Sequence, residues 1–123
     1  MVALSLAIAG LVVIIDQVIK YFVAMYLPQA GVVTAIPHLL DLNYVENRGV
    51  AFGMFENMRW IFVALTSVII VILLYIIIFK KIKSKMFLIS SALIIGGGIG
   101  NLIDRVLYGY VIDYLQLSFF SPV

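Results

Sequence analysis

Asp16 and Lys20 stand at i and i+4, which places a carboxylate and an ammonium on one face of a helix. Their surroundings are apolar, and a charge inside a bilayer either lines a cavity or finds a partner. Two readings of the pair stand side by side. One is a structural ion pair whose lysine snorkels outward; the other is part of a functional site. A second group, Asn47-Arg48-Gly49-Val50-Ala51-Phe52, carries Asn and Gly at the spacing of a turn. The densest group is Gly96-Gly97-Gly98-Ile99-Gly100-Asn101-Leu102-Ile103-Asp104-Arg105. Gly96 and Gly100 form a GxxxG pair that lets a neighbouring helix approach closely, and the glycine face runs on into Asn101, Asp104 and Arg105. Helix packing with a satisfied ion pair explains the glycines. It explains less well why three strongly polar residues crowd one turn. Asp113 follows in Tyr110-Val111-Ile112-Asp113-Tyr114-Leu115, just past Gly109; alone at an interface, such a carboxylate is ordinarily a solvated surface acid.

The chemistry open to these residues is narrow. The chain has no cysteine and a single histidine, His38, which reads as an exposed loop residue. Thiolate nucleophiles, disulfides and zinc clusters of three or four N/S ligands are excluded. Serine chemistry needs a base beside the hydroxyl, and Ser90 and Ser91 fall at the opposite end of their span from Lys20 and His38. Carboxylates remain. Two aspartates a few Å apart cannot both ionise easily, so they share a proton and activate water. No cofactor is needed for that.

The elements that must hold these residues are membrane helices. Of 123 residues, 65% are hydrophobic and 11% charged, with mean hydropathy +1.22, against about 45–50% apolar and about 25% charged in soluble domains. This composition excludes a cytosolic enzyme, a nucleic-acid binder and a disordered tail. A hydrocarbon core of about 30 Å takes roughly 20 apolar residues, and a single membrane domain with three spans is expected at 3–27 (ended by Pro28), 60–79 and 86–107. Lys80, Lys81, Lys83 and Lys85 join the last two. Positive residues in short loops stay cytoplasmic, so residues 80–85 are placed inside and the loop 28–59 outside. Asp16, Lys20, the loop, Asn101, Asp104, Arg105 and Asp113 then gather in the outer half. Within the loop, Leu40 to Glu46 alternates apolar and polar apart from a slip at Tyr44-Val45, which suggests a short half-buried strand. Val50 to Phe55 is expected to dip back as a turn or short helix. Tyr108, Tyr110, Tyr114, Phe119 and Phe120 read as an interfacial aromatic belt.

Four blocks in this order, Asp16-Gln17-x-x-Lys20, Asn47-x-Gly49-x-Ala51-Phe52, Gly96-Gly97-x-x-Gly100-Asn101-x-x-Asp104-Arg105 and Val111-x-Asp113-Tyr114, resemble the bacterial lipoprotein signal peptidases (signal peptidase II) across essentially the whole chain. The resemblance implies an α-helical intramembrane aspartic endopeptidase with a small extracytoplasmic β-like element. Its substrates would be diacylglyceryl-modified prolipoproteins, cut immediately before the lipidated cysteine. It implies a monomer in the bacterial cytoplasmic membrane, among lipids and without nucleic acid, metal or other cofactor. By motif, Asp113 matches the first catalytic aspartate, with Tyr114 where Phe is more usual. Asp16, Lys20, Asn47, Gly49, Asn101, Asp104 and Arg105 match residues that shape the site or hold substrate. The family's second catalytic aspartate, in an Asn-x-Ala-Asp motif at the start of a fourth span, has no counterpart before Val123. The expectation is therefore a truncated chain of three spans from a four-span fold, inactive alone, with Asp104 an imperfect substitute for the second acid. A non-catalytic membrane module, such as a carrier subunit using Asp16 and Lys20 to gate a polar path, and an inert fragment of the peptidase are the alternatives; a carrier would more naturally show duplicated halves.

Overall fold

The structure is a computed structural model that describes residues 1–49 and 55–118. Three long helices dominate: α1 (Val2–Ala30), α2 (Arg59–Phe79) and α3 (Lys85–Tyr108). Each is long and apolar enough to cross a membrane. Runs such as Ile69-Ile70-Val71-Ile72 in α2 are β-branched and weak helix formers in water. Within a bilayer the helix closes every backbone hydrogen bond inside the segment, and that requirement prevails. Pro28, expected to end the first span, lies inside α1 instead. The helix continues to Ala30 and stops at Gly31, whose φ of +70° turns the chain while its N–H bonds the Leu27 carbonyl at 3.1 Å. Pro28 offers no N–H to the Ala24 carbonyl, and the helix ends two residues later.

Helix α3 is central and packs against both α1 and α2. The core is Ala9 from α1, Ile70 and Ile77 from α2, and Leu88, Ala92 and Ile95 from α3. Glycine makes the α1–α3 approach possible. A Cβ on Gly96 would stand 2.6 Å from the Val12 Cβ and 2.7 Å from the Ala9 carbonyl oxygen. One on Gly100 would strike the Asp16 carboxylate. Gly98 faces α2 instead, against Ile70. On the outer faces Leu11, Ile14 and Val18 of α1 and Leu65, Val68 and Val71 of α2 are exposed, as lipid-facing residues are.

At one end, where α1 finishes, α2 begins and α3 finishes, lies a three-stranded antiparallel sheet in the order β1 (Val33–Ile36), β2 (Leu40–Asn47), β3 (Val111–Leu117). The lysines between α2 and α3 are at the other end. The alternation of Leu40 to Glu46 becomes β2, and the slip at Tyr44-Val45 coincides with a register shift between Leu42↔Leu115 and Val45↔Asp113. The sheet exceeds the single expected strand. Val111-Ile112-Asp113-Tyr114 lacks a period-two pattern because the paired edge of β3 buries both Val111 and Ile112, so pairing rather than pattern makes it a strand. The expected dip of Val50 to Phe55 falls mostly on residues 50–54, and Phe119 and Phe120 of the aromatic belt on 119–120; these lie outside the described residues.

Candidate active site

The i, i+4 spacing brings Asp16 and Lys20 onto the face of α1 that meets α3. The Lys20 ammonium donates to Asp16 Oδ2 at 2.9 Å, Asp104 Oδ2 at 2.9 Å and Asn101 Oδ1 at 3.0 Å. An ammonium carries three protons, and all three are used. Lys20 is only 4% exposed, so it does not snorkel. Of the two readings of the pair, outward reach is corrected: the glycine stripe brings α3 so close that Asp104 and Asn101 meet the lysine inside the protein.

Asp104 is just as fully engaged. Its Oδ2 also accepts from the Ile112 N–H at 3.1 Å, and its Oδ1 from Gln17 Nε2 at 3.2 Å. Gln17 reaches the Gly100 carbonyl and Asp16 Oδ2 as well, both at 3.1 Å. At 1% exposure, Asp104 joins α1, α3 and the start of β3. It is poorly suited to stand in as a second acid, since Lys20, the Ile112 N–H and Gln17 already occupy both its oxygens.

Asp113 has a different environment. It lies half-buried on β3, opposite Val45. Asn47, paired with Val111, is its diagonal neighbour on the same face, and its Nδ2 donates to Asp113 Oδ2 at 2.9 Å. Asn47 Oδ1 accepts from the Gly49 N–H at 3.0 Å, which fixes the amide's orientation. The Gly49 carbonyl accepts from Arg105 at 2.9 Å, and the Arg105 guanidinium lies over the Phe62 ring, 5.2 Å from its centroid. Among the described residues, Asp113 Oδ1 has no protein donor, and no other carboxylate shares Asn47. One carboxylate is thus oriented by one oxygen and open at the other.

The polar residues that the sequence singled out therefore form two linked groups. Asp16, Lys20, Asn101 and Asp104 make a saturated clamp between α1 and α3; Asn47, Gly49, Arg105 and Asp113 make a chain from α3 to the sheet. Ile112 joins them. On the clamp's flank, Tyr21, Ala24, Met25, Tyr44, Tyr108 and Tyr110 wall a cavity of about 470 Å³. Asp113 does not line it. Burial and the Glu46 carboxylate, 3.0 Å away, push the Tyr44 phenol well above its ordinary value, so it stays a hydrogen-bond donor.

The family described as Signal peptidase (SPase) II matches residues 8–123. The chain belongs to the signal peptidase II family. It is a multi-pass membrane peptidase by that membership and by its three apolar helices. A lipoprotein signal peptidase of Caldanaerobacter subterraneus subsp. tengcongensis is 42% identical over 98% of this chain and 82% of that protein. One from Streptococcus thermophilus is 42% identical over 96% of this chain and 76% of that protein. A bacterial membrane enzyme solved by the in meso method at 2.3 Å superposes with a TM-score of 0.85 at 33% identity, covering 97% of this chain and 73% of that one.

Two members of this signal peptidase II site escaped the sequence reading. Gln17 stood inside a quoted motif without a role. Arg59 served only as a loop boundary, yet its Nε donates to the Arg105 carbonyl and its Nη2 to the Val106 carbonyl, both at 2.6 Å. An arginine at a span's edge ordinarily signals only the membrane interface, and nothing local says which helix end it serves.

Proposed function

We propose that the protein removes signal peptides from diacylglyceryl-modified prolipoproteins by an aspartic mechanism, with Asp113 as one of two catalytic carboxylates. The observation that carries this reading is Asp113 itself, held by Asn47 through one oxygen, with the other free of protein donors among the described residues. In such a mechanism the carboxylate takes a proton from water as the water attacks the scissile carbonyl. A second carboxylic acid protonates the carbonyl oxygen; as the C–N bond breaks, Asp113 passes the proton it took from water to the leaving amine and the second group recovers its own from the diol. Among the described residues, no second carboxylate accepts from Asn47 beside Asp113. Asp16, Lys20, Asn101 and Asp104 hold α1 and α3 in place, and Asn47, Gly49 and Arg105 orient Asp113.

The membrane is the bacterial cytoplasmic membrane, with the sheet and Asp113 on the extracytoplasmic side. The four lysines at the other end support that orientation. The test is a gel shift of a lipidated precursor in detergent micelles. The full-length protein cleaves, and Asp113→Asn, which keeps the shape but cannot accept the proton, does not. Full activity in Asp113→Asn would sink the aspartic mechanism. A carrier module would leave the precursor intact in both.

A further inference from the structure

The corner between α3 and β3 decides where Asp113 points. Helix α3 ends at Gly109, whose φ of +86° reverses the chain and whose N–H bonds the Arg105 carbonyl at 3.1 Å. The last carbonyls of a helix lack partners within it and carry the negative end of its dipole. Arg59, in the first turn of α2, supplies both the partners and the charge, since its fork takes the Arg105 and Val106 carbonyls together. Its guanidinium also packs on Gly109, where a Cβ would lie 3.3 Å from Nη1, and over the Trp60 ring at 4.6 Å.

From there a continuous chain of bonds runs to Asp113. The Arg105 carbonyl receives Arg59, the Arg105 guanidinium holds the Gly49 carbonyl, the Gly49 N–H holds Asn47 Oδ1, and Asn47 Nδ2 holds Asp113. Both ends of the segment that joins β2 to α2 are thereby tied to one residue, Arg105. The Asn57 N–H bond to the Arg48 carbonyl at 3.2 Å closes its base.

We propose that Arg59 is a positioning residue for Asp113, acting through Arg105, Gly49 and Asn47; this rests on Asp113 being catalytic. A lysine reaches one carbonyl rather than two, because it lacks the planar fork. The experiment is single-turnover cleavage of the lipidated precursor by the full-length protein, with enzyme in excess so that slow rates are resolved. The variants are Arg59→Met, Arg59→Lys, Asn47→Ala, Arg59→Met with Asn47→Ala, and Asp113→Asn. Small misplacements of a catalytic group cost up to about 100-fold. Arg59→Met is expected to slow cleavage about 10-fold or more at saturating enzyme, with the half-saturating enzyme concentration changed by no more than about twofold, and Arg59→Lys to recover part of the rate. Because both residues act along one chain, the double variant is expected to be no slower than Asn47→Ala. An unchanged rate in Arg59→Met, or losses that multiply in the double variant, overturns the proposal. Where Arg59→Met does not fold, Arg59→Lys takes its place in the same cycle. Retained cleavage in Asp113→Asn would instead overturn the catalytic reading, independently of Arg59.

Discussion

Replacing Lys20 by methionine keeps most of the side chain's volume and removes its charge, and the structure says where the damage falls. Three acceptors lose the ammonium at once: Asp16, Asn101 and Asp104. The Asp16 side chain is 21% exposed, but that of Asp104 is 1% exposed, so its charge has nowhere to go. Removing one member of a buried pair costs about 3–5 kcal/mol in soluble proteins, most of it from the stranded charge. For a chain of this size that corresponds to a fall in Tm of about 10–20 °C. The assay is thermal unfolding of the detergent-purified protein. Asp104→Asn in the Lys20→Met background removes the stranded charge, while its amide oxygen still accepts from the Ile112 N–H. Roughly half of the lost stability is expected to return, as when both members of a buried pair are replaced. A fall of less than about 3 °C, or no recovery in the double variant, would refute the reasoning by showing that water screens the clamp.

Arg105→Ala strips the buried Gly49 carbonyl of its donor and is expected to lower both Tm and cleavage rate; unchanged melting with unchanged cleavage would reduce that turn to packing. Gly96→Ala drives a Cβ into the Ala9 carbonyl and is expected to cost about 1–3 kcal/mol by overpacking, whereas Gly97→Ala, with nothing within 4 Å, is expected to leave thermal unfolding unchanged or raise Tm through helix propensity. Cysteines placed at Thr34 and Lys83 report sidedness: in intact spheroplasts an impermeant reagent is expected to label position 34 and not 83, and the reverse pattern would overturn the orientation.

The sequence by itself determined the class of molecule. The three spans follow from apolar length, because a bilayer leaves the backbone no alternative to a helix. The i, i+4 spacing of Asp16 and Lys20 and the stripe from Gly96 through Gly100 to Asp104 are local helical geometry, so their shared faces were legible without coordinates. Four ordered motifs carried the family. Tertiary structure alone decided what each polar group touches. That Lys20 is turned inward depends on how near α3 comes, which depends on glycines 76 and 80 residues away in the chain. That Asp104 is consumed while Asp113, among the described residues, keeps one oxygen free depends on the strand pairing of Val111–Leu117 with β2, since the register sets Asn47 diagonal to Asp113 and sends the Ile112 N–H back to Asp104. Arg59 lies furthest from legibility. Its partners are backbone carbonyls at the end of another helix, and a main-chain acceptor leaves no mark in the side-chain sequence.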